Sequence, residues 1–277
     1  MKPAPFSYER PRDVASALSV MNSAEGTVKI IAGGQSLGPM LNLRLVAPDT
    51  ILDITGIADL KGAEIDGNEL MLGTCITHAD IEDGRVPDVT RGAMRRVAAN
   101  IAYRAVRNRG TIGGSLSHAD PSADWVSSLT ALGASVSLRS ANGTRRVAMK
   151  DFIIGALESV MAPGEMLDAV HVPSMPKSSR WAYVKSCRKP GEFAHAIGAV
   201  LIDPEAGTAR IVIGAVEAAP VVVEQPSELF GGRIDGEFKS RFDARVADKL
   251  LNDAGMHDAA DRHMHVTVLR RAVTEAA

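Results

Sequence analysis

Two glycine-rich segments constrain what this chain can fold into more than any other feature of its sequence. The first is IAGGQSLG at residues 31–38, and the second is RGTIGGSLSHADPSAD at residues 109–124. Glycine lets the backbone approach a ligand closely and direct several N–H groups into one space, which suits the acceptor oxygens of a phosphate or diphosphate. We therefore expect the two segments to hold a diphosphate from two sides. The first segment taken alone is interpreted equally well as a tight turn.

The spacing within these segments excludes the commonest nucleotide-binding loops. The chain contains no GxxxxGK[ST] motif, and neither segment has the GxGxxG spacing of an ordinary Rossmann site. Asp120 and Asp124 lie at the end of the second segment, close behind its glycines. A carboxylate is repelled by a diphosphate unless it serves another part of the ligand, so hydrogen bonding to ribose hydroxyls is the role that we expect here.

Composition and charge narrow the function further. A chain of 277 residues suits two domains of ordinary size, or one large domain with an appendage. Its 45% hydrophobic and 23% charged residues are typical of a soluble globular protein. The net charge of -2 and the 4% aromatic content argue against nucleic-acid binding. The first residues, MKPAPFSYERPRD, lack the apolar core of a signal peptide, which favours a cytoplasmic protein. Cys75 and Cys187 are the only cysteines, and two thiolates cannot hold an iron–sulfur cluster by themselves.

Hydrophobic periodicity predicts a mixed α/β region followed by an α+β region. The predicted strands cover residues 28–32, 50–54, 69–75, 135–139, 145–149, 181–186, 197–202 and 209–216. The predicted helices cover residues 8–22, 89–102, 240–252 and 260–275, with one more from Pro121 through 125–132 that has Asp120 as its N-cap. Asn142-Gly143 predicts a hairpin, Thr77 a helix cap, and PSMPKSS at 173–179 a linker.

Four stretches of the sequence carry a resemblance to a known family. They are AGGQSLGPMLNLRL at 32–45, TIGGSLSHADPSAD at 111–124, FIIGALESVMAPGEML at 152–167 and YVKSCRKPGEFAHAIGAVL at 183–201. Together they resemble the FAD-binding medium subunit of molybdenum hydroxylases, of which the carbon monoxide dehydrogenase medium subunit and the xanthine dehydrogenase flavin domain are examples. The resemblance covers nearly the whole chain and weakens after about residue 224, and Gly38 stands where the family more often has a larger apolar residue.

The resemblance implies a fold of the α+β class in two domains. Residues 1–176 are expected to form a PCMH-type FAD-binding domain built from two α/β subdomains. Residues 177–277 are expected to form the smaller C-terminal domain of the carbon monoxide dehydrogenase flavoprotein type, an α+β domain with a three-stranded antiparallel sheet.

The resemblance also implies which residues bind FAD, and that the binding is non-covalent. Backbone groups of both segments would hold the diphosphate, and Asp124 would bind a ribose or ribityl hydroxyl. Met161 would touch the isoalloxazine, Lys185 would lie near the flavin or its phosphates, and Phe193 would cover the ring. The complete expected set is Ala32, Gly33, Gly34, Gln35, Ser36, Thr111, Ile112, Gly113, Gly114, Ser115, Asp124, Met161, Lys185 and Phe193. No residue is assigned to catalysis or to a metal.

The function implied by the resemblance is electron transfer within a larger enzyme. Substrate would be oxidised at a molybdenum cofactor on a large subunit, and electrons would pass through [2Fe-2S] clusters on a small subunit to FAD and an external acceptor. The assembly implied is a dimer of heterotrimers, cytoplasmic or held at the inner face of the membrane. A non-enzymatic nucleotide-binding module is the alternative. A self-contained flavin oxidase of the vanillyl-alcohol type is disfavoured, because the segment after Ser179 is short for a substrate domain.

The remaining polar residues have mostly structural interpretations. His263 and His265 form an HxH whose side chains point apart on a helix, so two exposed histidines are expected rather than a metal site. His78, His118 and His195 are expected to support the fold.

One cluster of arginines has two interpretations, and two further residues are expected to have structural roles. The cluster Arg104, Arg107 and Arg109 is interpreted equally well as neutralising phosphate or as facing a partner. We expect Asp53 to be a turn residue and Trp125 to lie in the core.

Overall fold

The computed structural model of the chain describes residues 2–276. Its strands are β1 Ser7–Glu9, β2 Val28–Ile31, β3 Thr50–Asp53, β4 Ala63–Asp66, β5 Glu69–Gly73, β6 Ser135–Ser140, β7 Gly143–Ala148, β8 Ile153–Gly155, β9 Glu158–Ser159, β10 Met166–Pro173, β11 Arg180–Ser186, β12 Ala196–Asp203, β13 Thr208–Gly214 and β14 Val221–Val222. Its α-helices are α1 Val14–Ser23, α2 Leu37–Asn42, α3 His78–Glu82, α4 Ala93–Ala99, α5 Arg104–Arg107, α6 Ile112–His118, α7 Asp124–Leu132, α8 Met149–Phe152, α9 Ala244–Asp253 and α10 Ala259–Glu275. None of the helices described is long and apolar enough to cross a membrane.

The first layer is a parallel sheet in the order β1-β3-β2. Its core packs Leu18 of α1 against Leu52 and Ile54, at and just after the end of β3. The first glycine-rich segment begins directly where β2 ends. It therefore lies at the carboxyl edge of parallel strands, the edge at which open α/β sheets bind ligands.

The second layer is an antiparallel sheet in the order β4-β5-β10-β6-β7. Alternating residues such as Val136 and Leu138 face the largest core cluster, which includes Trp125 of α7. The predicted hairpin is confirmed, with Ser140 paired to Gly143. The turn therefore lies at Ala141 and Asn142, one residue earlier than the Asn-Gly signal places it.

The third layer is an antiparallel sheet in the order β11-β12-β13-β14. Strands β12 and β13 pair from Ile197 with Gly214 to Asp203 with Thr208, as their β-rich sequences predict. The implied three-stranded sheet is corrected to four, because the two-residue strand β14 adds to the edge of β13. Helix α10 packs on β11 and β12, and α7 packs on β12 and β13.

Helix α7 connects the layers because all nine of its residues are buried. Its Trp125, Val126 and Leu129 belong to the core of the five-stranded sheet. Its Ala131 packs instead with two residues of the third layer, Ala199 and Val212. A single helix thus contributes to the cores on both sides of the 174–179 connection.

Two of the predicted helix starts were wrong, because the local sequence at each of them suits two different structures. Tyr8 lies in β1 rather than a helix, because three residues of this segment pair with β3. The helix predicted from Asp120 begins at Asp124, and the Asp120 carboxylate instead accepts from the Ser122 N–H in a turn. The glycine-rich loop contains helix α6, capped by the Thr111 side chain. Thr77 caps α3 with a complete capping box, as predicted.

The expectation of two exposed histidines was wrong for one of them. His263 is exposed, but His265 is 2% exposed and lies on the face of α10 that packs against the sheet. Its ring nitrogens contact the carbonyl oxygens of Asp261 and Ala215. His265 therefore anchors α10 to the end of β13, and the two imidazoles do point apart.

The contact between α7 and β13 generates a stability prediction. A Cβ on Gly214 would lie 1.8 Å from Ser127 Oγ, and that hydroxyl is buried without a hydrogen-bond partner among residues 2–276. Gly214→Ala should overpack the contact and destabilise the chain by about 1–3 kcal/mol, which lowers the thermal midpoint by roughly 3–8 °C. Ser127→Ala should leave the midpoint unchanged or raise it by about 2 °C.

The double variant Ser127→Ala/Gly214→Ala should recover part of the lost stability, because removing the Ser127 hydroxyl opens the space that the new methyl needs. Gly236→Ala is the matched control, since its Cβ would meet no atom within 4 Å. Circular dichroism melts of the wild type and the four variants make the comparison. Equal midpoints for Gly214→Ala and the control would contradict this account of the contact.

Candidate functional site

The structure brings the two glycine-rich segments into direct contact. A Cβ on Gly33 would lie 2.0 Å from the carbonyl oxygen of Arg109 and 2.7 Å from the Cα of Gly110. A Cβ on Gly114 would lie 3.7 Å from that of Ala32. Only glycine permits the first of these approaches, so the two segments form one surface, as their similar composition suggests.

The first segment presents backbone N–H groups that have no acceptor within the described chain. Across residues 2–276, no oxygen accepts from the N–H groups of Gly33, Gly34, Gln35 or Ser36. Gly34 has φ +72°, a conformation that side chains disfavour, and α2 begins just after Ser36. Successive N–H groups around a left-handed residue form a concavity suited to an anion. This is the arrangement that a diphosphate requires.

The second segment uses most of its N–H groups internally. Ile112 donates to the Ile76 carbonyl at 2.9 Å, and Gly113 donates to the Thr74 carbonyl at 3.0 Å. The Gly114 N–H is taken by the Thr111 hydroxyl at 3.0 Å. These glycines therefore allow close packing: a Cβ on Gly113 would lie 1.6 Å from Thr74 Oγ1. The segment forms the wall against which the first segment rests, with Gly114 and Ser115 at its partly exposed side.

His78 contacts the second segment from its buried side. Its backbone N–H donates to the Gly110 carbonyl at 2.9 Å, and its Nδ1 accepts from Trp125 Nε1 at 3.1 Å. Burial lowers the pKa of His78 to about 4, so the imidazole is neutral and able to accept. The structural roles expected for His78 and Trp125 are confirmed.

Asp124 lies at the start of α7 in a buried polar network. Its Oδ1 accepts from Lys185 Nζ at 2.8 Å and from the Tyr183 hydroxyl at 2.8 Å. The side chains of Asp124 and Lys185 are 8% and 9% exposed. Burial raises the pKa of Asp124, and the Lys185 ammonium and both hydrogen bonds oppose that rise. Lys185 Nζ also donates to the Asn100 carbonyl at 3.0 Å.

Met161 precedes and Phe193 follows the connection at residues 174–179. Met161 is half-buried and packs against the core cluster of the five-stranded sheet. Phe193 is 62% exposed and lines a cleft of about 420 Å³ with Arg188, Gly191, Glu192 and His195. Gly191 fixes this loop, since its Cβ would lie 2.6 Å from the Ala102 carbonyl. An aromatic ring held in the open by an anchored loop suits stacking on a planar ligand.

The three arginines near the second segment differ in what they contact. Arg104 pairs with Glu82 and Asp83, and Arg107 pairs with Glu82. Their charges are therefore neutralised within the chain. Arg109 has no carboxylate partner among residues 2–276, and its Nε lies 3.5 Å from the Gly33 carbonyl. Of the three arginines, Arg109 is the one whose guanidinium lies beside the first segment, where its positive charge would attract a phosphate.

Asp53 has the turn role that we expected. Its carboxylate accepts from the Thr55 N–H at 2.8 Å and from the Thr55 hydroxyl at 2.6 Å, and also from Tyr8. No group of three or more histidine, cysteine or acidic side chains within the described residues is placed to hold a metal ion.

Sequence reasoning missed Tyr183, which shares an acceptor oxygen with Lys185. The signal was available, because residues two apart on a strand face the same side. The WAYVKS stretch predicts a strand, so the side chains of Tyr183 and Lys185 are expected on the same face and close to the same binding partner.

Comparisons with known proteins identify the family. Residues 4–175 match the family described as the FAD binding domain in molybdopterin dehydrogenase. The carbon monoxide dehydrogenase medium chain of Afipia carboxidovorans is 31% identical over 288 residues, which cover 100% of this chain and 98% of that protein. The nicotine 6-hydroxylase medium subunit of Paenarthrobacter nicotinovorans is 30% identical over 282 residues, covering 100% and 99%.

Solved structures show the same fold over the whole chain. The Cu,Mo-CO dehydrogenase in its cyanide-inactivated form superposes with a TM-score of 0.87 at 30% identity, covering 100% of this chain and 99% of the other. Quinoline 2-oxidoreductase from Pseudomonas putida 86 superposes with a TM-score of 0.86 at 29% identity, covering 100% and 98%. The chain therefore belongs to the family of FAD-binding medium subunits of molybdenum hydroxylases.

Proposed function

We propose that this chain holds FAD and serves as the electron-transfer subunit of a molybdenum hydroxylase. The observation that carries the proposal is the row of four N–H groups at residues 33–36, which have no acceptor among residues 2–276 and lie against the second glycine-rich segment. Such a row suits a diphosphate. Family membership identifies the diphosphate compound as FAD.

The residues of the site fit the parts of FAD in sequence. The diphosphate lies on Ala32–Ser36, with Thr111–Ser115 as its second wall. Asp124 accepts from a ribose or ribityl hydroxyl, and Lys185 lies beside that carboxylate and near the flavin. Met161 and Phe193 provide the apolar and aromatic contacts for the isoalloxazine. When bound, FAD supplies the redox chemistry, while the protein provides orientation and a defined electrostatic environment.

The domain boundary that we propose lies between residues 176 and 177. The family match ends at residue 175, and residues 174–179 form no helix or strand between β10 and β11. Residues 1–176 then form the PCMH-type FAD-binding domain, and 177–277 form the smaller C-terminal domain. The buried contacts of α7 with the third layer hold the two together.

The relatives are the medium chain of a carbon monoxide dehydrogenase, the medium subunit of a nicotine 6-hydroxylase and a subunit of a dehydrogenase complex, so this chain works with larger and smaller partner subunits. We propose that the large subunit carries the molybdenum cofactor, that the small subunit carries [2Fe-2S] clusters, and that the assembly is a cytoplasmic dimer of heterotrimers. The substrate of the complex is bound on the large subunit in this arrangement. The alternative of a non-enzymatic nucleotide-binding module leaves the exposed Phe193 ring without a role.

The first functional prediction concerns Gly114. Gly114→Val adds methyl groups where the second segment faces Ala32, so it should lower FAD affinity more than tenfold while costing about 1–2 kcal/mol of stability through the disturbed Thr111 cap. Flavin-to-protein ratios after purification and titration of the apoprotein measure the loss. Gly113→Val is unsuitable, because its clash with Thr74 would unfold the wall rather than block the ligand.

Gly38→Ala is the matched control, since Gly38 is the last residue of the first segment but a Cβ there meets no atom within 4 Å. It should keep its full flavin content. Full flavin content in folded Gly114→Val as well would remove this surface from the FAD site.

The second functional prediction concerns division of labour. The lone chain should bind FAD non-covalently and release all of it on acid precipitation. Dithionite should bleach the bound flavin, whereas carbon monoxide, aldehydes, purines and N-heterocycles should not. In the assembled enzyme the correct substrate among these should bleach it. Anaerobic stopped-flow absorbance on the lone subunit and on the complex makes the comparison, and rapid flavin reduction by substrate in the lone subunit would point to a self-contained oxidase.

A further inference from the structure

The two oxygens of the Asp124 carboxylate have different surroundings. Oδ1 accepts two hydrogen bonds, from the Tyr183 hydroxyl and from Lys185 Nζ, both at 2.8 Å. Oδ2 accepts none from any residue among 2–276. The side-chain atoms of that range that are fully buried and lack a partner belong to Ser127, Arg139 and His171. Oδ2 is not among them, and the Asp124 side chain is 8% exposed.

The donors on Oδ1 come from the C-terminal domain, whereas Asp124 itself belongs to the FAD-binding domain. Tyr183 and Lys185 lie two residues apart on β11 and therefore project from the same side of the strand. Lys185 is held a second time by the Asn100 carbonyl at 3.0 Å. A carboxylate fixed through one oxygen by two donors has little rotational freedom, so its second oxygen keeps a constant direction.

We propose that Tyr183 is a positioning residue for the FAD site: with Lys185 it occupies one oxygen of Asp124 and thereby presents the other oxygen to a hydroxyl of the cofactor. This inference rests on the proposed function, because it assigns the Asp124 contact to FAD. Tyr183 itself need not touch the cofactor. Tyr183 acts on the cofactor through the Asp124 carboxylate. The FAD site is therefore complete only when the C-terminal domain is docked.

The direct test is FAD affinity of the full-length apoprotein with Tyr183→Phe, which keeps the ring and removes the hydroxyl. Affinity should fall roughly fivefold, the effect of losing one hydrogen bond that orients a charged group. Asp124→Asn keeps the size of the side chain and should lower affinity by itself. In the Asp124→Asn background, Tyr183→Phe should change affinity by less than about twofold, because its route to the ligand is then absent.

The pH dependence of FAD affinity separates positioning from packing. The hydrogen bond from Tyr183 opposes the rise in the pKa of Asp124 that burial causes. The titratable groups facing this carboxyl are Tyr183 and Lys185, and Cys187 lies beside Tyr183. Without the hydroxyl the carboxyl gains its proton at higher pH, so the acid-side loss of affinity should move upward in Tyr183→Phe. It should vanish in Asp124→Asn. A purely structural tyrosine would leave the position of this limb unchanged.

Tyr103→Phe is the matched control, because Tyr103 is 65% exposed and its hydroxyl donates to no residue described. It should match the wild type in affinity and pH profile. Should Tyr183→Phe fail to fold, 3-fluorotyrosine can be incorporated into Tyr8→Phe/Tyr103→Phe, since the chain has three tyrosines. The more acidic phenol donates more strongly and should move the acid limb to lower pH.

Three results would count against the proposal. Equal FAD affinity and equal pH limbs for wild type and Tyr183→Phe would overturn it, as would an unchanged effect of Tyr183→Phe in the Asp124→Asn background. A limb that does not move with fluorotyrosine would do the same. A wild-type chain that binds no FAD would instead overturn the proposed function, and this inference with it.

Discussion

The close approach of Gly33 to the Arg109 carbonyl is the contact on which the rest of the site depends. The two backbones meet at a distance that no side chain permits, so the end of β2 and the start of α6 share one surface. The N–H groups of residues 33–36 have no acceptor among residues 2–276, whereas the second segment uses most of its N–H groups for hydrogen bonds within the fold. This division gives the two stretches different tasks: the first offers donors of the kind that an anion site requires, and the second holds them in place.

Buried contacts continue from this surface to the third layer. The wall formed by residues 111–118 leads through a turn to α7, whose nine residues are all buried. The charge at the start of α7 is opposed by the partial positive charge of the helix N-terminus and by Lys185 from β11. A buried carboxylate without its partners would be strongly destabilising, so the network favours one placement of β11 against α7.

Much of this architecture could be predicted from the sequence, and the exceptions have physical causes. Strands β12 and β13 and the Thr77 cap follow from local patterns that tertiary contacts merely complete. Tyr8 was assigned to a helix because a three-residue strand depends on its partner β3, which lies more than forty residues away. Asp120-Pro121 suits a helix start and a turn equally well, and the surrounding packing selects the turn. His265 is buried because α10 lies on β12, which no local signal in the helix reveals. In the site, both glycine-rich segments were recognisable from the sequence. The internal bonding of the second segment was not, because the carbonyl groups of Thr74 and Ile76 that accept from it lie far away in the sequence.

The fully buried helix α7 has a consequence for how such proteins can be recombined. The segment at 174–179 is a natural place to join the halves of two relatives, since it lies between strands. A join there takes α7 and Asp124 from one parent and β11 to β13 from the other, so a helix fitted to one sheet is pressed against another. Residues such as Ser127 and Gly214 then have to match in size across the junction. Modular exchange at this point should succeed only between parents whose α7 and β13 surfaces have the same shape, however similar their flavin loops are.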